Sequence, residues 1–181
     1  MPAVGAHRHD GFYLRTFLGF GATRMRAADV DATVSGPGGT FGIALGGAVA
    51  ENLIVYGEVF DDVAVNPDIE VGAMQGSTTD TNAGQVGFGA GIAYYVMPLN
   101  LYLSGTLSAS RLQIEQNNTT VGKSDLGPGV SLMIGKEWWA SPQWGLGVAG
   151  QFFGGRMKDQ GTNAPTWTTA AFGIVFSATY N

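Results

Sequence analysis

The chain has 181 residues, a formal net charge of −5 and no cysteine, which excludes a disulfide framework, a thiolate metal site and a cysteine nucleophile. Only 13% of the residues are charged while 45% are hydrophobic, a balance that excludes disorder and a coiled coil. No stretch approaches 18 uninterrupted apolar residues, so a membrane-spanning helix is excluded, and without a basic patch there is no nucleic-acid footprint.

From the first ten residues onward the dominant pattern is alternation at period two, the mark of strands with two unlike faces. Residues 1–10 read as a flexible tail. His7, His9 and Asp10 within it could hold a metal only weakly, and no metal or cofactor is expected. Strand one runs from Phe12 to Arg24, strand two from Gly39 to Ala50 and strand three from Leu53 to Phe60. Strand four covers Gln85–Met97, strand five Leu101–Gln113 and strand six Leu126–Trp139. Strand seven covers Trp144–Gly154 and strand eight Trp167–Tyr180. Three connections are tight: Glu51-Asn52, Pro98-Leu99-Asn100 and Ala140-Ser141-Pro142-Gln143. Four are longer, at 25–38, 61–84, 114–125 and 155–166, and hold most of the Asp, Asn, Thr and Pro. Short turns at one end and long loops at the other describe an up-and-down meander. Eight such strands remove their edges by closing into a barrel over residues 11–181, with both termini at the short-turn end.

The two faces decide the solvent. One parity of each strand carries Leu, Val, Ile and Phe; the other carries Gly, Ala, Ser and Thr. A water-facing surface should be about 25–35% Lys, Arg, Glu and Asp, and neither face comes near that. The small-residue face suits the crowded lumen of an eight-stranded barrel, which leaves the apolar face to lipid. That is the transmembrane pattern, apolar outside and small or polar inside. Aromatic residues gather at the short-turn end: Tyr13, Tyr94, Tyr102, Trp138, Trp144 and Tyr180 read as an interfacial belt. A soluble lipocalin-like barrel with the faces reversed remains the contrary reading.

With Gly135-Lys-Glu-Trp-Trp139, Phe172-Gly-Ile-Val-Phe-Ser-Ala-Thr-Tyr180 and this eight-strand pattern in view, the chain resembles the small outer-membrane proteins of the OmpX and OmpA transmembrane-domain type. The resemblance covers Gly11 to Asn181. It implies an integral bacterial outer-membrane barrel with both termini periplasmic. It also implies a secretion signal removed from ahead of this segment, since the first ten residues carry no apolar core. The final aromatic is penultimate here, Tyr180 before Asn181, where that class ends in an aromatic.

The candidate chemistry is sparse. Arg15, Glu58 and Glu137 fall on the inward parity of strands one, three and six. Buried charges persist when paired, so these three are expected to form a salt-bridged lumen network rather than a carboxylate pair for hydrolysis. Lys136 falls on the lipid parity, near enough to a turn to reach the interface. Outer-membrane hydrolases place a catalytic histidine within the barrel or its loops. Here both histidines precede strand one, so no enzymatic activity is expected. Asp61, Asp62, Asp68, Glu70 and Asp80 match no calcium-loop spacing and read as a solvated acidic loop. The functional expectation is a monomeric envelope protein embedded in the lipid bilayer. Any surface partner would be met by the four long loops; the alternative is a small pore.

Overall fold

A computed structural model describes residues 7–117, 119–161 and 164–181. Part of the 1–10 tail, one residue of the 114–125 connection and two residues of the 155–166 connection therefore lie outside the described residues. Eight long strands alternate up and down: β1 (Phe12–Ala27), β2 (Ala32–Ala50), β3 (Leu53–Val65), β4 (Thr81–Val96), β5 (Leu101–Gln116), β6 (Gly127–Trp139), β7 (Trp144–Lys158) and β8 (Thr166–Tyr180). Each pairs antiparallel with its sequence neighbour. β8 returns to β1 in a ladder from Leu14↔Tyr180 to Ala27↔Trp167, which closes an antiparallel eight-stranded barrel.

The chirality of the turns explains their composition. Among the described residues, the non-glycine residues with positive φ between strands are Asp31, Asn52, Asn66, Asp80, Asn100 and Asn117, the side chains that tolerate the left-handed region best after glycine. The three tight turns stand where alternation placed them, and the chain ends meet beside one of them. His7 N–H donates to Pro142 O at 3.0 Å and Asn181 N–H to Gln143 O at 2.9 Å.

Alternation sets the two surfaces. Outside stand Leu18, Phe20, Phe41, Val59, Phe88, Ile92, Leu103, Leu107, Leu132, Ile134, Leu146, Phe172 and Phe176, all exposed. An exposed apolar sheath of this extent has only lipid to bury it, so this is a transmembrane barrel and not a soluble one. Inside, aromatic rings lie against glycines of neighbouring strands. A Cβ on Gly42 would stand 2.2 Å from Phe17 Cζ, and one on Gly91 2.6 Å from Tyr56 Cζ. The abundant glycine is thus the counterpart of the large lumen rings, as interior packing density requires.

The long connections differ from their sequence reading. β1 and β2 continue together through 25–38, paired to Ala27↔Ala32. β3 and β4 pair out to Val65↔Asn82. Residues 61–84 also hold a surface hairpin of Asp68–Val71 and Met74–Ser77, whose first strand adds to β2 through Ala32–Ser35. A short strand, Thr119–Lys123, extends the wall beside β5. In these segments the outward face turns polar while the inward face stays buried, with Met25, Val34, Ala83 and Met157 on it; backbone pairing continues beyond the apolar sheath.

Residues 7–10, the described part of the expected tail, do not hang free. His9 is fully buried. Asn52 N–H donates to His9 O at 3.1 Å, and Ala48 N–H to Gly11 O at 2.9 Å. The segment from His7 to Asp10 is pinned across the short-turn mouth because its backbone completes the β2–β3 turn.

Candidate functional site

The lumen divides into two apolar clusters with polar residues between. Nearest the short turns lies a charged centre. Arg15 on β1 donates from one guanidinium nitrogen to Glu137 Oε1 on β6 at 2.8 Å and to Tyr95 Oη on β4 at 2.6 Å. Its Nε donates to Thr179 Oγ1 on β8 at 3.2 Å. Thr179 in turn donates to the same carboxylate oxygen at 2.6 Å. Tyr102 presents its ring face 4.0 Å from the guanidinium carbon, and Tyr13 stands at 5.5 Å. Four strands thus converge on one cation, each by a residue on the inward parity. Glycine makes the room: a Cβ on Gly147 would meet Glu137 Cγ at 2.8 Å.

His9 closes this centre from below. Its ring stacks on Tyr95 with centroids 3.5 Å apart. Its two nitrogens lie 2.7 Å from Asn181 Oδ1 and 2.8 Å from Asn100 Oδ1. Trp139 covers both His7 and His9. The first described residues, the chain end and the turn before β5 are therefore tied through one imidazole.

Of the three charges singled out in the sequence, Arg15 and Glu137 meet and Glu58 does not join them. Glu58 is buried in the lumen on β3, between Ala44 and Gly89 in register. Among the described residues the one ion pair is Arg15–Glu137. The aromatic belt also needs correction. Tyr13 and Tyr102 are 0% and 2% exposed and face the lumen, because strand parity sets direction whatever the height along the barrel. Tyr94, Trp138 and Trp144 are exposed on the outer wall. Tyr180 packs edge-on to Trp144 at 5.3 Å. Lys136 donates to Leu99 O at 2.6 Å beside the Trp138 ring, the reach toward the rim expected of a lysine on the lipid parity.

Farther along the lumen, Thr23, Asp62, Gln85, Ser110, Gln151 and Thr169 are buried. Some of them border a small cavity of about 10 Å³. Beyond stand Met25, Val34, Ala83, Leu112 and Met157, with Ile69 and Trp167 packed on them, beside a cavity of about 50 Å³. Sequence reasoning missed His9, Tyr95, Thr179 and this second cluster. Tyr95 and Thr179 were visible as large or hydrogen-bonding residues on the small-residue parity; Met25, Val34, Ala83 and Met157 of the cluster were hidden inside segments read as loops, and Leu112 stood at the end of strand five.

No family profile and no curated protein matches the sequence. Solved structures do. The crystal structure of neisserial surface protein A aligns over 93% of this chain and 96% of that one, with TM-score 0.62 and 13% identity. The chain folds as a small eight-stranded outer-membrane β-barrel. Outer membrane protein OprG from Pseudomonas aeruginosa aligns with this barrel over 96% of this chain and 98% of that one, at TM-score 0.49 and 13% identity. AlkL, determined in lipid bilayers, aligns over 99% and 94%, with the same score and identity.

Proposed function

We propose that this protein is a non-enzymatic, monomeric barrel of the bacterial outer membrane, with periplasmic termini and long hairpins that meet its partners at the cell surface. The carrying observation is the filled lumen. Arg15, Glu137, Tyr13, Tyr95 and Tyr102 occupy its cross-section near the short turns and are all essentially inaccessible, which favours a structural scaffold over a conducting path. Closure supports the monomer, since the eight long strands leave no free edge between them. Both histidines lie at the short-turn mouth, and the ring nitrogens of His9 face Asn100 and Asn181, an arrangement without an acid–base partner. Short turns beside both termini favour the periplasmic assignment. The long hairpins carry Asp, Asn and Thr beyond the apolar sheath, where groups suited to recognition concentrate.

Refolding into phosphatidylcholine vesicles tests this reading. The expected product migrates faster on a gel before boiling than after, and gives no unitary currents across a planar bilayer. Steady single-channel steps would instead establish the pore, and solubility without detergent or lipid would overturn the membrane assignment.

A further inference from the structure

The chain carries nine Lys and Arg against fourteen Asp and Glu, yet its cations are not spread evenly. Arg15 is in the lumen and Lys136 is held at the short-turn rim. Arg24, Arg26, Arg156 and Lys158 are all exposed on β1 and β7, the two strands flanking β8. The outer wall of β3 to β5 instead mixes its charges, with Asp61 and Glu115 around a cavity of about 180 Å³ and Arg111 in the same row as Asp61. One side of the long-hairpin end is therefore basic on a chain that is acidic as a whole.

Register places this group at a definite height. Rows across β7, β8 and β1 read Trp144–Tyr180–Leu14, then Val148–Phe176–Leu18, then Phe152–Phe172–Ala22. The next rows are Gly154–Ala170–Arg24 and Arg156–Thr168–Arg26. Twelve residues separate Trp144 from Arg156 along β7, roughly 30 Å at ~3.3 Å per residue and about 40° of tilt. That is about the hydrocarbon thickness of a bilayer. With Trp144 in one interface, Arg156 stands in the other.

Arg26 and Arg156 flank Thr168 from opposite sides, each one strand away, and border a concave notch of about 260 Å³ with Ala28, Asp29, Thr166 and Thr168. The acid in the notch is engaged: Asp29 Oδ2 accepts the Thr166 N–H at 3.2 Å. Among the described residues neither arginine forms an ion pair. Two guanidinium forks and a hydroxyl converge on a site whose neighbours are lipid. Arginine forks match phosphate oxygens in bidentate geometry, and the row beneath, Gly154–Ala170–Arg24, adds a third arginine beside the notch.

We propose that the notch between Arg26 and Arg156 holds a phosphate of a lipid headgroup in the leaflet at the long-hairpin end. This rests on the membrane-barrel reading above. The test reconstitutes the full chain in phosphatidylcholine nanodiscs containing either diphosphoryl lipid A or the same lipid with its phosphates removed. Native mass spectrometry then counts the lipid A retained on the released barrel. The phosphorylated lipid should be retained about tenfold better. R26Q/R156Q should lose that preference, R26K/R156K should keep part of it, and R111Q on the other face should keep all of it. Inorganic phosphate should not displace the lipid. Equal retention of both lipids by the unaltered chain overturns the proposal without needing any variant. So does an undiminished preference in R26Q/R156Q. A barrel that inserts and shows no preference removes this inference alone, whereas failure to insert removes the membrane reading with it.

Discussion

The two ends of the lumen solve the same packing problem with opposite chemistry. Near the short turns, one buried cation is met by a carboxylate, a phenol and a threonine from three other strands. Near the long hairpins the space is filled by the apolar side chains of Met25, Leu112 and Met157, with Trp167 packed on them and no charge among them. A hydrogen-bonded ion pair accepts one geometry and so fixes the register of four strands at once. Methionines are unbranched and adapt to irregular space, which suits the end where the wall is extended by short strands. The comparison teaches that specificity and filling are separated along the barrel axis. It predicts that damage at the first end costs much more than damage at the second.

Arg15→Ala is the strongest way to break this contrast. It leaves Glu137 buried with its charge unpaired, a loss of about 3–5 kcal/mol. Urea unfolding of the refolded barrel should show it as a large fall in the midpoint. Arg15→Met combined with Glu137→Gln should recover much of the loss, because no charge is then stranded. If the double variant is no better than the single, the pair contributes by shape alone.

Gly42→Val probes the same end through packing. The new side chain has to enter the Phe17 ring, since even a Cβ would stand 2.2 Å from Phe17 Cζ. Overpacking of this kind costs about 1–3 kcal/mol, and the upper part of that range is expected because β2 backbone and ring are both constrained. Gly150→Val is the matched control: nothing lies within 4 Å of a Cβ there, so its midpoint should hardly move.

Met157→Ala sharpens the other side. Methionine-to-alanine changes in tight cores cost about 2–5 kcal/mol. The low end, about 2 kcal/mol, is expected here because a cavity of about 50 Å³ already borders the cluster and methionine neighbours can relax into the gap. A loss matching that of Arg15→Ala would mean that the far end is packed as specifically as the near one.

The same contrast decides what the sequence made legible. Arg15 and Glu137 stood out because a charge among Gly, Ser and Ala has no bland explanation on a lumen face, and alternation gave their direction without ambiguity. Tyr13 and Tyr102 were misassigned to the belt by their nearness to the short turns, although their parity pointed inward; direction is a local property of the strand and overrides position. Met25, Leu112 and Met157 were lost because the wall outside them is wet. Where the outward face turns polar the contrast between an apolar outside and a small-residue inside is lost, while the ladder continues and the inward face stays buried. His9 was invisible for a different reason: what buries it is the β2–β3 turn and the chain end, contacts between segments remote in sequence that no local pattern encodes.

The smallest effect is expected from the surface hairpin. Its one inward contribution is Ile69, which pairs with Val34 and packs on the methionine cluster. Replacing residues 67–79 by a short Gly-Ser link joins Asn66 to Asp80 across a gap that the ladder already closes at Val65↔Asn82. The deletion removes part of one isoleucine's burial, about 1 kcal/mol. The ladder it forms with β2 adds little net, since those amides can bond water instead. A shorter connection returns a few tenths through its lower closure entropy. The urea midpoint should therefore fall by less than Met157→Ala lowers it, with the heat-dependent gel shift intact. Any surface partner held by this hairpin should be lost at the same time. A fall as large as that of Arg15→Ala would show the hairpin to be part of the barrel's cooperative core, and the separation of specificity from filling along the axis would fail with it.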